Sequence, residues 1–113
     1  MTHNTQERIA AVREKLAAWE VDGLYITNAV NRRWLSGFTG SAGSLLITAD
    51  LAILGTDFRY WEQAQQQAPA FELLRLGRGN PDLPTEKDLL LRLEDGVLAV
   101  EGDDISVNTF SQL

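Results

Sequence analysis

The glycine-rich stretch at residues 37–43 is the first place in this sequence where residue types and spacing could carry chemistry. Gly37, Gly40 and Gly43 recur at three-residue spacing, with Ser41 between the last two. Nucleotide-binding loops have a different glycine spacing and lead into a helix, whereas this stretch leads into a predicted strand. Ser41 also lacks the first glycine of a nucleophile elbow. The pattern therefore favours a tight loop over a nucleotide site or a serine hydrolase.

The acidic residues suggest a second kind of chemistry, the binding of a cation. An acidic cluster at 101–104 fails the spacing of a calcium loop, so we interpret it as a solvated turn. A magnesium-dependent hydrolase needs three or four carboxylates that converge on one point. Acids at the ends of predicted elements could supply them: Asp22, Asp50, Asp57 and Glu101. A small hydrolase of this kind stays open as an alternative.

The counts of histidine and cysteine exclude several complete active sites. The chain has 113 residues, one histidine at position 3 and no cysteine. A disulfide framework, a thiolate zinc site and a cysteine nucleophile are therefore excluded. A single histidine also argues against a Ser-His-Asp triad and a histidine-rich metal site. The length fits one domain with its own hydrophobic core.

Charge and hydropathy narrow the range of partners. Ten basic residues stand against 16 acidic ones, which gives a net charge of −6. Because an acidic chain binds a phosphate backbone poorly, we expect no nucleic-acid partner. The apolar runs are too short to span a membrane, and the N-terminus shows no export signal. We therefore expect a cytoplasmic location and no membrane partner.

The hydrophobic periodicity alternates between helix and strand, which is the α/β pattern. Apolar residues at three- and four-residue spacing predict a first helix, capped by Asn4 or Thr5. We predict strands at 24–27, 44–48, 51–54, 71–76 and 97–100, with the second and third forming a hairpin. Further helices are predicted as one turn at 32–35, from Asp57 to Pro69, and after Thr85. The strands at 44–48 and 51–54 are apolar on both sides, which predicts a sheet covered on both faces.

Two groups of residues lie where these elements meet. Asp57 is predicted to cap a helix and to pair with Arg59. Trp34 and Phe38 are expected to be exposed on the glycine-rich loop, which would give the loop a surface that faces a substrate or partner.

At this point the sequence resembles a known family. Residues 31–43, N-R-R-W-L-S-G-F-T-G-S-A-G, are similar to the N-x-R-Y-L-[TS]-G-F-x-G-S-x-G segment of the creatinase, prolidase and Xaa-Pro aminopeptidase family. The likeness continues in register with T-D-F-R-Y at 56–60, Q-A at 63–64 and V-E at 100–101. Trp34 stands where tyrosine is commoner, and Ala99 where glycine is common. The likeness is to the N-terminal domain of the family, and it covers nearly all of residues 1–113.

The resemblance implies a particular fold and a chain without the family's catalytic residues. The fold is a single three-layer α/β domain, with a mixed sheet of five or six strands between helices in a ribonuclease-H-like layout. The family's catalytic half is a C-terminal domain of pita-bread fold, where two Asp, two Glu and one His hold two metal ions, typically manganese or cobalt. We therefore expect neither a catalytic residue nor a metal site in this chain. Because a predicted helix beginning at Ser106 stops at Leu113, we expect one domain of a longer chain.

The resemblance also implies a role. In the family this domain is non-catalytic, contributes to a homodimer or higher oligomer, and reaches the substrate cleft of a neighbouring subunit. Its partners would be the catalytic domain of the same chain and a proline-containing peptide. The residues we assign to that surface are Asn31, Arg33, Trp34, Phe38, Thr39, Gly40 and Ser41. Asp57, Arg59 and Tyr60 are expected to anchor a helix start against the loop. A stand-alone self-association module remains the other alternative.

Overall fold

A computed structural model describes residues 5–77, 81–93 and 96–100. Three of the predictions lie outside these ranges: the cap at Asn4, the acidic turn at 101–104 and the helix beginning at Ser106. The described ranges contain all the segments that carry the family resemblance, apart from Glu101.

The described chain alternates helices and strands in the order that the periodicity predicts. The elements are α1 (Thr5–Trp19), β1 (Gly23–Ile26), α2 (Ala29–Ser36), β2 (Ser44–Thr48), β3 (Ala52–Thr56), a 3₁₀ turn (Phe58–Tyr60), α3 (Trp61–Gln67), β4 (Glu72–Arg75), α4 (Glu86–Leu91) and β5 (Leu98–Val100). Most predicted bounds are shifted by one or two residues.

Helix α2 is the main difference, because it is longer than the single turn predicted at 32–35. The side chain of Asn28 accepts hydrogen bonds from the backbone N–H groups of Val30 and Asn31, which caps the helix earlier than expected. Gly37 ends the helix in the left-handed region, at φ 86°. The sequence carried both signals, an Asn before the helix and a Gly after it.

The five described strands form one mixed sheet in the order β4-β3-β2-β1-β5. Strands β1, β2 and β3 form an antiparallel meander, in which β2 and β3 make the predicted hairpin. The edge strands β4 and β5 run parallel to β3 and β1 respectively. This confirms the mixed sheet expected from the resemblance.

Helices cover both faces of the sheet, as the two-sided apolar pattern of β2 predicts. Leu45 and Ile47 point to one face and join a core with residues of α1, α2 and α3. Leu46 points to the other face and packs with Leu89 of α4. Every residue of β2 is buried. The domain therefore has three layers, with the central strand enclosed on both sides.

Helix α4 is held to its face of the sheet by a polar contact as well as by Leu89. The Glu86 carboxylate accepts hydrogen bonds from the hydroxyls of Tyr25 on β1, at 2.5 Å, and of Ser44 on β2. Burial, followed by the adjacent Glu86 carboxylate, raises the pKa of Tyr25 above its ordinary value.

Because the pKa of Tyr25 is raised, the free energy of unfolding depends on pH in the alkaline range. Because the folded state resists ionisation of Tyr25, its contribution is present below the unfolded pKa of about 10 and is lost as pH rises towards the folded value. We expect the free energy of unfolding, measured by urea denaturation, to fall less steeply above pH 10 in Tyr25→Phe than in the unchanged chain. Equal slopes for Tyr25→Phe and the unchanged chain would contradict this assignment.

Candidate functional site

The two segments that carry the family resemblance meet at one end of the sheet. Ser44, which follows the glycine-rich loop, pairs with Gly55, which precedes Thr56 and Asp57. The Thr56 hydroxyl donates a hydrogen bond of 2.7 Å to the carbonyl of Ala42 in the loop. Residues far apart in sequence therefore form one surface, because antiparallel pairing brings the start of β2 next to the end of β3.

A buried arginine organises the loop from beneath. Arg32, on the inner face of α2, is 3% exposed. One terminal nitrogen, Nη1, donates to the carbonyls of Thr27 and Gly43, at 3.0 and 2.8 Å, and Nη2 donates to the carbonyl of Gly40 at 2.8 Å. These bonds link the chain before α2 to both halves of the loop after it.

Sequence reasoning missed this residue. From the sequence, Arg32 is placed only in the helical turn predicted at 32–35, and no role is predicted for it. The available signal was its helical spacing, because Arg32 lies three and four positions before Leu35 and Ser36, which are both buried.

The expected exposure of Phe38 is wrong. Its side chain is 0% exposed and lies within the core beneath the loop, in an edge-to-face contact with Tyr60 at 5.8 Å between ring centroids. Gly40 makes this possible, since a Cβ at that position would lie 2.2 Å from the Phe38 ring. Phe38 therefore supports the loop from inside and offers no surface to a partner.

Thr39 and Ser41 are exposed, but their hydroxyls are bound to the next helix and the turn before it. The backbone N–H of Thr39 donates to Gln67 Oε1 at 2.9 Å, and Gln63 Nε2 donates to the Thr39 hydroxyl at 3.0 Å. The Ser41 hydroxyl shares a hydrogen bond with the Tyr60 hydroxyl. The loop is thereby fixed against α3 and the 3₁₀ turn.

The remaining candidates form an outward surface, which we call the outer face of α2: Asn31, Arg33 and Trp34. All three are exposed, and Trp34 retains 51% of its accessible surface. The guanidinium of Arg8 on α1 stacks over the Trp34 ring at 4.5 Å and donates to the Trp34 carbonyl. The indole is thus held in place on its helix while much of its surface faces solvent.

Asp57 and Arg59 form the cap and ion pair that the sequence predicts. Asp57 is buried, and its Oδ1 accepts from the Arg59 backbone N–H at 3.0 Å and from Nε at 2.9 Å. Its Oδ2 accepts from Nη2 at 2.8 Å. The hydrogen bond to Asp57, followed by its charge, raises the pKa of the Arg59 guanidinium. Tyr60 in the same 3₁₀ turn contacts Ser41 and Phe38 of the loop. The turn therefore anchors the start of α3 against the loop.

The described residues do not fit a metal site. No group of three or more His, Asp or Glu side chains within 5–77, 81–93 and 96–100 could hold a metal ion. Asp22 and Asp50 lie at the end of the sheet where Gly23 pairs with Thr48, whereas Asp57 lies at the opposite end beyond Thr56. A five-residue strand separates the two ends by about 15 Å. The three described acids of the magnesium-hydrolase alternative therefore do not converge, and its fourth acid, Glu101, lies outside the described residues.

Comparison with known proteins shows the family. The profile of the Creatinase/Prolidase N-terminal domain matches residues 8–113. A probable Xaa-Pro aminopeptidase P from Coprinopsis cinerea is 37% identical over 96% of this chain and 19% of its own length. The chain belongs to the Creatinase/Prolidase N-terminal domain family. The matches cover between 11% and 20% of the length of these curated relatives.

Solved structures agree with this assignment. The crystal structure of the N-terminal domain of a protein assigned as a metallopeptidase, from Corynebacterium diphtheriae, is similar at a TM-score of 0.76 and 32% identity, over 91% of this chain and 80% of that one. X-prolyl aminopeptidase from Caenorhabditis elegans, described as a cytosolic enzyme with a di-nuclear active site, is similar at a TM-score of 0.73 and 25% identity. That match covers 88% of this chain and 20% of the enzyme.

Among the described residues, none of the helices has the length and apolar character needed to cross a membrane.

The contact between Gly40 and Phe38 gives a direct test of the loop. We expect Gly40→Ala to lower the free energy of unfolding by about 1–3 kcal/mol, because the added methyl group overpacks the site against the ring. Urea denaturation of Gly40→Ala, Phe38→Leu and the double variant measures the coupling between the two positions. The cost of the alanine should shrink when Phe38 is already leucine. An unchanged cost would mean that the ring is not what excludes a side chain at position 40.

Proposed function

We propose that this chain is the non-catalytic N-terminal domain of a proline-specific metallopeptidase, an Xaa-Pro aminopeptidase or dipeptidase. Its role is to contribute to oligomerisation and to shape the substrate cleft of a neighbouring subunit. One observation carries the proposal: the outer face of α2 exposes Trp34 and Arg33 at the edge of a loop that is hydrogen-bonded to α2 and α3.

The chemistry of this face suits a proline-containing peptide or a partner subunit. The flat apolar ring of Trp34 can pack on a pyrrolidine ring, as aromatic-lined grooves do in other proline-recognising proteins. The exposed guanidinium of Arg33 can bind a peptide carboxylate. Thr39 and Ser41 hold the loop in shape, so we assign direct contact to Asn31, Arg33 and Trp34 alone.

We place catalysis and the metals outside this chain. The described residues hold no metal cluster, and the related enzyme from C. elegans is described as having a di-nuclear active site. We infer that the whole protein binds two divalent metals, manganese or cobalt, in a C-terminal catalytic domain that is this domain's partner. The cytosolic description of the same enzyme supports a cytoplasmic location.

The role of the outer face can be tested in the full-length protein. We expect Arg33→Ala and Trp34→Ala each to raise KM for an Xaa-Pro peptide about tenfold, since each removes one contact worth roughly 1.4 kcal/mol. The two controls are matched in kind. Trp19→Ala removes a tryptophan that is 50% exposed and has Lys15 over its ring, and Arg92→Ala removes an exposed arginine directly after α4.

Both controls should leave KM unchanged. If KM, kcat and oligomer mass of Arg33→Ala and Trp34→Ala all match the unchanged protein, the outer face of α2 has no role in the cleft or the assembly.

The mass of the protein in solution tests the alternative of a stand-alone self-association module. Light scattering gives the mass of the 113-residue chain and of the full-length protein. Under our proposal the full-length protein is a homodimer or larger, and Trp34→Ala weakens that assembly or raises KM. A full-length protein that stays monomeric while cleaving Xaa-Pro peptides would remove the neighbouring-subunit part of the proposal.

A further inference from the structure

Arg32 has a role that neither the family assignment nor the proposed function gives it. We propose that Arg32 is the positioning residue of this surface, which fixes the glycine-rich loop and the outer face of α2 relative to each other. The effect on the loop is independent of the proposed function, whereas its effect on catalysis rests on that function.

The first step of the argument is where the hydrogen bonds go. Nη1 bonds Thr27, one residue before the Asn28 cap, and also Gly43, one residue before β2. Nη2 bonds Gly40, in the middle of the loop. One planar group therefore joins the chain on both sides of α2, and the loop turns two of its carbonyls inward to reach it.

The second step is why another side chain cannot replace it. The Gly40 carbonyl is buried and those of Thr27 and Gly43 are in part-buried bonds, so all three need donors, because leaving enclosed acceptors without hydrogen bonds is unfavourable. The guanidinium presents a rigid fork of N–H groups that reaches separate acceptors at once, and its Cζ lies 6.0 Å from the centre of the Phe38 ring. A lysine ammonium is one donor atom on a flexible stem, so it cannot span the same acceptors.

The third step connects Arg32 to the exposed surface. Arg33 and Trp34 follow it directly on α2, and the hydroxyl of Ser36, one turn later, donates to the Arg32 carbonyl at 2.6 Å. The same hydroxyl accepts from the backbone N–H of Phe38, at 3.1 Å. A shift of Arg32 would therefore move the helix that presents Trp34 and the loop that begins at Gly37.

The experiment compares Arg32→Met and Arg32→Lys with Arg13→Met in the 113-residue chain. Arg13 is a matched control, because its Nε donates to the carbonyl of Thr48 at 2.7 Å and so makes the same kind of bond at the opposite end of β2. Amide hydrogen exchange, resolved by NMR, reports the opening of each region separately. We expect the hydrogen-bonded amides of Phe38 and Thr39 in the loop to exchange at least about tenfold faster in both Arg32 variants, and to be unchanged in Arg13→Met.

If Arg32→Met does not fold, Arg32→Lys keeps the charge and still decides the question. Loop exchange that is unchanged in Arg32→Lys would overturn the proposal, as would an equal acceleration in Arg13→Met.

The full-length protein supplies a readout that a merely structural residue would not move. We expect Arg32→Lys to raise KM for an Xaa-Pro peptide several-fold with kcat within about twofold, and Arg13→Met to leave KM unchanged even if it lowers Tm as much. A loosened loop with unchanged KM would retain Arg32 as the positioning residue of the loop and remove the loop's role in the cleft. An unchanged loop removes the positioning role whatever the kinetics show.

Discussion

The rest of this surface depends on the hydrogen bonds that the buried guanidinium of Arg32 donates to backbone carbonyls. A glycine-rich loop has few side chains to pack, and its backbone groups must still find hydrogen-bond partners when they are enclosed. Here the partner is one guanidinium group, which donates hydrogen bonds to the carbonyls of Thr27, Gly40 and Gly43. The conformation of the loop is therefore set by a side chain that lies beneath it. The residues on its outer surface are not needed for these hydrogen bonds.

The sheet supplies the frame for that arrangement. Because β2 is enclosed on both faces and paired on both edges, its first residue is a fixed point from which the loop leaves. The antiparallel pairing with β3 delivers Thr56 and Asp57 beside the loop, where the Asp57–Arg59 pair and Tyr60 support it. The same geometry places Asp22 and Asp50 at the far end, which separates the acids instead of gathering them. The topology that brings the loop and Asp57 together thus leaves these three acids without a common site.

Much of this could be read from local sequence patterns. Alternation and three-to-four spacing predict the strands and α1, and Thr85 caps α4 at the predicted position. The cap at Asp57 and its pair with Arg59 were also predictable, because both partners are two residues apart. The predicted bounds of α2 are too narrow although Asn28 and Gly37 mark its ends, because the glycine-rich stretch beside it favours a loop.

The sequence by itself determined which elements form, that the sheet is covered on both faces, and that cysteine chemistry is excluded. These follow from periodicity and composition, which act over a few residues or over the whole chain. Only the tertiary structure decided that Phe38 lies inside while Trp34 lies outside, and that Arg32 serves the loop while Arg33 faces solvent. Those assignments depend on which backbone carbonyls turn inward and where a missing Cβ at Gly40 leaves room for a ring. They are relations that form only when the loop folds back over α2, and the local helical spacing signals just the burial of Arg32.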